Sequence, residues 1–163
     1  MTDLHIRPLD PVADLPLVTA FYADAPDFWL LAEGAAPGPA KAQEFFDDCP
    51  PGSDPEASHR LGLFLGDRLS GLAELSFAFP RPEDAYLGLM ILGPWAQGAG
   101  NGRRFLAHVE ALARQADCPS LYLGVLDRNP RGRAFWEREG FAATGDWRRT
   151  EQGDHVFRMV KPL

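Results

Sequence analysis

The chain has 163 residues, 45% hydrophobic and 24% charged, which is enough for one domain with its own core and too little for two ordinary ones. A net charge of −7 and a pI of 5.0 argue against broad binding to nucleic acid or to an anionic membrane, and suit a cationic small molecule better. No apolar run is long enough to span a bilayer, the opening MTDLHIRPLD holds no apolar leader, and Cys49 and Cys118 have neither metal-ligand spacing nor a disulfide framework; the expectation is a cytoplasmic protein with reduced thiols.

Leu4 to Leu9 alternates and reads as an opening strand. Asp10 is placed to cap a helix with Pro11 at its first position and Leu15, Val18, Phe21 and Tyr22 on its apolar face. After Asp24 to Asp27 comes the bulky segment Phe28-Trp29-Leu30-Leu31, then a loop from Gly34, a short helix from Pro39 to Asp48 and a proline-rich surface loop from Cys49 to Ser58. Arg60 to Gly66 and Leu69 to Phe79 read as a hairpin turning at Gly66-Asp67. In its second strand Leu69, Gly71, Ala73, Leu75 and Phe77 share one face, and Ser70, Glu74 and Ser76 the other. Pro80 to Asp84 turns into Leu87 to Leu92, an apolar run that suits a strand buried on both faces.

Gly93-Pro94 ends that strand. Gln97, Gly98, Ala99, Gly100, Asn101, Gly102 and Arg103 then lead into a helix whose apolar face carries Phe105, Leu106, Val109, Leu112 and Ala113. Strand, glycine-rich turn and helix N-terminus together present backbone N–H groups to an anion, with Arg103 and Arg104 adding positive charge. This is a phosphate cradle. Arg103 stands where a dinucleotide fingerprint needs its last glycine, and the P-loop lysine is absent. Leu121 to Leu126 is the next apolar strand, Asn129-Pro130 starts a helix that Gly140 stops, and Phe141–Thr150 with His155–Val160 close the chain as a hairpin.

Two motifs carry a family resemblance. Gln97-x-x-Gly100-x-Gly102, preceded by Pro94, resembles the pyrophosphate loop of the GNAT superfamily of acyl-CoA-dependent N-acetyltransferases. Asn129-x-x-Gly132-x-x-Phe135-Trp136-x-x-x-Gly140-Phe141 resembles the second signature of the same family. The resemblance implies an α/β fold of α+β type over residues 1–163, a single domain. Its sheet is mixed and mostly antiparallel, with one central parallel βαβ unit and flanking helices. It also implies acetyl-CoA as cosubstrate, contacted by Ile91, Leu92, the Gln97–Arg103 loop, Asn129, Phe135 and Trp136. The partner implied is a small-molecule or peptide amine, with a homodimer open and neither nucleic acid nor membrane involved.

The departures from the family bear on mechanism. Its tyrosine, often credited with protonating the leaving thiolate, is Trp136, whose indole N–H supplies no such proton. Its central-strand glutamate falls at Tyr86. Glu74 is then the first substitute proton acceptor, Asp84 the second, and Tyr122 a conceivable acid. Asp27, Phe28, Trp29 and Tyr86 are expected to enclose the acceptor, since carboxylates and aromatic faces attract cations. Three readings follow: an acetyltransferase for a small cationic amine, a catalytically weak acyl-CoA-binding or sensor module, and, at a distance, a nucleotide-binding domain.

Overall fold

A computed structural model describes residues 3–163. Seven strands, β1 (Leu4–Pro8), β2 (His59–Leu65), β3 (Arg68–Phe77), β4 (Ala85–Leu92), β5 (Ser120–Leu126), β6 (Ala142–Arg149) and β7 (His155–Pro162), form one mixed sheet in the order β1-β2-β3-β4-β5-β7-β6. Among the described residues only β4 and β5 pair in parallel, across α4 (Asn101–Gln115). The helices α1 (Leu15–Asp24), α2 (Asp27–Glu33) and α3 (Pro39–Asp47) lie between β1 and β2, and α5 (Pro130–Arg138) follows β5. No helix among the described residues is long and apolar enough to cross a membrane.

Two apolar clusters cover the sheet. Phe105, Leu106, Val109 and Ala113 of α4 pack with Leu75, Leu87, Leu121 and Leu123. Val18, Phe21 and Tyr22 of α1 pack with Phe45 of α3 and with Leu69, Leu72 and Ile91 of the sheet. Burying such side chains is worth about 1.5–3 kcal/mol each, and here both faces of β3 are sealed.

Several expectations need correction. α1 begins at Leu15; Asp10 instead accepts the Val12 and Ala13 N–H groups in a turn, at 2.8 and 2.7 Å. Phe28 to Leu31 are helical, in α2. The even alternation of β3 is broken at Ser70, where the register against β2 slips by one residue, so Leu69 joins the α1 side. β4 is not buried throughout. Gly88 is exposed, and Leu89 and Met90 are half-buried. The reason is topological: β4–β5 pairing runs only over Ala85↔Leu121, Tyr86↔Tyr122 and Leu87↔Leu123, although both strands continue beyond it. They splay apart. Backbone groups of β4 beyond Leu87 that would pair with β5 are left facing the gap.

Candidate active site

The splay opens a cleft of about 1170 Å³ between β4 and β5, larger than the roughly 300–1,000 Å³ of ordinary ligand pockets. Its floor is the open edge of β4. One end is the glycine loop that follows the short 3-10 turn Pro94–Ala96. Gly98 and Gly100 sit at φ 78° and 81°, and a Cβ at either would meet no protein atom within 4 Å. That open space lies on the cleft wall. The first backbone bond closed by α4 is Arg104 N–H to Gly100 C=O, so the N–H groups of Asn101, Gly102 and Arg103 have no partner within the helix. The loop is braced from below: Asn101 Nδ2 donates to Ala96 C=O at 2.9 Å, and Gln97 Nε2 to Leu92 C=O at 3.2 Å. A Cβ on Gly102 would touch the Phe135 ring at 3.3 Å, so this glycine lets α4 and α5 approach. Arg103, Arg131 and Arg138 add positive charge to the cleft walls.

α5 is positioned by its cap. Asn129 Oδ1 accepts the Gly132 N–H at 2.9 Å, and a Cβ on Gly132 would fall 2.5 Å from Asn129 Nδ2. Trp136 packs edge-on against Phe135 and Phe141, with centroids 4.9 and 5.4 Å apart, and also faces the cleft.

Beneath the cleft lies a smaller pocket of about 110 Å³ whose wall includes Glu74. Glu74 is 5% exposed. Ser76 Oγ donates to its Oε1, and Arg60 Nη1 stands 3.6 Å from the same oxygen. Burial pushes its carboxyl above the ordinary carboxylate range; the Ser76 hydroxyl, Arg60 and the Gly88 N–H act in the other direction without cancelling it. A β-bulge makes the arrangement possible. Glu74 pairs with Leu89 and Leu75 with Leu87, which leaves Gly88 unmatched. Any Cβ on Gly88 would overlap Glu74 Oε2.

Of the residues singled out in the sequence, Ile91, Leu92, Gln97, Gly98, Gly100, Gly102, Arg103, Asn129, Phe135 and Trp136 all line the cleft, as do Asp27, Phe28, Trp29 and Tyr86. Ala99 is exposed at the loop tip and does not line it. Asn101 is buried and acts by bracing the loop. Trp29 joins cleft and small pocket, with Lys41 Nζ 4.4 Å above its ring. Asp84 is not brought to Glu74. It lies before the first residue of β4, fully buried, with Oδ2 2.8 Å from Arg81 Nε, and lines neither cavity. Tyr122 also lines neither, because it sits in the paired part of β5 opposite Tyr86. Tyr86 itself is the phenol at the splay: a Cβ on Gly124 would lie 3.2 Å from its hydroxyl. Burial raises its pKa, with Arg148 and Arg158 opposing and Glu74 reinforcing the shift, so the hydroxyl keeps its proton at neutral pH.

Sequence reasoning passed over Arg60, Ser76 and Gly88. One signal was available. Arg60 and Glu74 are charged residues within two apolar strands that pair through one hairpin, and they face each other in its register.

Residues 19–141 match the family model described as acetyltransferase (GNAT) family. Among solved structures, an acetyltransferase from Thermus thermophilus aligns over 100% of both chains at 25% identity, with a TM-score of 0.76. The ribosomal-protein-S18-alanine N-acetyltransferase from Escherichia coli aligns over 99% of this chain and 94% of its own, at 19% identity and a TM-score of 0.71. The PaiA N-acetyltransferase from Thermoplasma acidophilum, solved in complex with coenzyme A, aligns over 99% of both chains at 18% identity and a TM-score of 0.71. The last two likenesses bear on fold alone.

Proposed function

Because the chain belongs to the GNAT acetyltransferase family, we propose that it moves an acetyl group from acetyl-CoA to the primary amine of a small molecule, by direct attack in a ternary complex. The observation that carries this reading is Glu74, a buried carboxylate with a raised pKa where the small pocket meets the open edge of β4.

An alkylammonium of pKa about 10.4 costs roughly 4–5 kcal/mol to deprotonate at neutral pH, so an acceptor for that proton shortens the climb. Glu74 takes the amine proton, directly or through water. The nitrogen lone pair then forms the N–C bond at the thioester carbonyl. Backbone N–H groups of β4 near Leu92, on the side that β5 vacates, offer hydrogen bonds to the developing oxyanion. The C–S bond breaks as the nitrogen gives up its second proton to solvent, and the sulfur leaves as a thiolate of pKa roughly 8–9, which needs little help. Tyr86, protonated and lining the cleft, is the phenol placed to supply its proton, with solvent as the other source. The Gln97–Arg103 loop and α5 hold the phosphates and the pantetheine arm.

Calorimetry with acetyl-CoA, followed by free-thiol release across a panel of amines, tests the proposal. Gly100→Val places a branched side chain where the phosphate would lie and costs about 1–2 kcal/mol of backbone strain. It should weaken acetyl-CoA binding at least tenfold while the chain still folds. Undiminished affinity would remove the loop from the cosubstrate site. Tight acetyl-CoA binding with no thiol release from any amine would favour the sensor reading, for which Trp136 in place of the family's tyrosine already speaks.

A further inference from the structure

Arg60 is an unusual member of the small pocket. Its side chain is only 8% exposed. Nη1 donates to Phe45 C=O at 2.6 Å and faces Glu74. Nε and Nη2 are buried with no hydrogen-bond partner, and Trp29 Nε1, on the same pocket, has none either. A buried guanidinium with open donors is costly unless an acceptor arrives to fill them. Of the other charged groups on the pocket, Lys41 Nζ lies 2.7 Å from Glu33 and 3.0 Å from Glu44, and the Asp48 carboxylate, unpaired among the described residues, stands at the solvent-exposed rim.

Nε and Nη2 form one edge of the planar guanidinium. That edge matches the two oxygens of a carboxylate in parallel N–H···O bonds. The pocket holds about 110 Å³, and at about 30 Å³ per liquid water that takes a group of only about four heavy atoms, the size of a carboxylate with the carbon that bears it. Gly88 and Leu89 line both this pocket and the cleft.

We propose that the pocket binds a carboxylate carried on the carbon next to the acceptor's amine, so that the acceptor is a free amino acid and not a plain alkylamine or polyamine. This inference rests on the acetyl-transfer reading and narrows it. Arg60 Nε and Nη2, assisted by the Trp29 indole N–H, hold the carboxylate. The adjacent ammonium then lies beside Glu74, on the side where the pocket opens to β4. The acceptor is thus a zwitterion, matched by one buried cation and one buried anion 3.6 Å apart.

The test is calorimetric titration of the wild-type protein, with and without CoA, using the proteinogenic L-amino acids. Each binder is then compared with its decarboxylated amine (phenylalanine with phenethylamine, lysine with cadaverine) and with its amide. At least one amino acid should bind ten or more times tighter than both partners. Arg60→Lys, which keeps the charge but not the two-pronged edge, should erase most of that ratio while acetyl-CoA affinity stays unchanged. Because Arg60 also anchors Phe45, the variant's melting curve is recorded, and the wild-type ratio decides if it unfolds. A decarboxylated amine or an amide that binds as well as its amino acid overturns the proposal. So does a panel in which no amino acid binds, or a ratio that survives in a folded Arg60→Lys. Arg60-dependent amino-acid binding without any acetyl-CoA binding would uphold the pocket and defeat the acetyl-transfer reading.

Discussion

Gly88→Ala isolates the geometry around Glu74 better than removing the carboxylate does. The bulge leaves Gly88 unmatched against β3, and a methyl group there overlaps Glu74 Oε2. Gly88 is not in the left-handed region, so alanine adds no backbone strain and recovers about 0.4–1 kcal/mol by restricting the unfolded chain. The carboxylate cannot stay where it is. To reach normal contact distance it must swing by about 1 Å or more, which breaks its bond from Ser76, a charge-assisted interaction worth about 1.5–3 kcal/mol. The net cost to stability should be about 1–2 kcal/mol, or a fall in Tm of a few degrees. A reacting group misplaced by about 1 Å loses roughly 10²-fold in rate. Thiol release should therefore show kcat down about a hundredfold, with acetyl-CoA affinity by calorimetry unchanged. In a Glu74→Gln background the same substitution should cost little further rate, since the two changes act through one group. Wild-type turnover by Gly88→Ala, or an equal additional loss in the Glu74→Gln background, would refute the reasoning.

Glu74→Gln itself should lower kcat by about 10²–10⁴ at matched neutral-amine concentration, leaving acetyl-CoA affinity intact. Glu74 must be ionised to take a proton, so kcat/KM should rise through a pKa above the ordinary value of about 4.3, and that limb should vanish in the variant. The same raised pKa makes Glu74's contribution to stability greatest below its unfolded pKa and lost as pH rises through the folded one. The Tm difference between wild type and Glu74→Gln should accordingly move against wild type from acid to neutral pH. Trp136→Phe should keep most of the turnover, because Trp136 packs between Phe135 and Phe141; a hundredfold loss would reveal a chemical role. Asp14, held below its ordinary pKa first by hydrogen bonds from Arg7, stabilises the fold above its unfolded pKa and ceases to as pH falls through the folded one. With Arg7 41% exposed, Asp14→Asn should cost about 1–2 kcal/mol in urea titration at pH 7 and progressively less as the pH is lowered.

What the chain reveals by itself is what rests on local chemistry. Gly98 and Gly100 are glycines because the loop needs positive φ there, and Asn129 followed by Pro130 is a helix start whatever surrounds it. Both motifs, and the family, were legible from such positions. Periodicity also exposed the apolar stripe of α4, since a helix face is written at fixed spacing. Tertiary structure decided the rest. Nothing in the run Leu87 to Leu92 says that β5 will leave after Leu87, because that depends on where α5 and the closing hairpin pull β5. The two bulges, at Ser70 and Gly88, rotate side chains through local register slips that alternation cannot register. Asp84 and Glu74 look alike as carboxylates in or next to strands. One is neutralised by Arg81 before β4 begins, and the other shares a pocket with an arginine whose outer edge is left open. Burial and pairing depend on neighbours brought together from distant parts of the chain, so the electrostatics of the site belong to the fold.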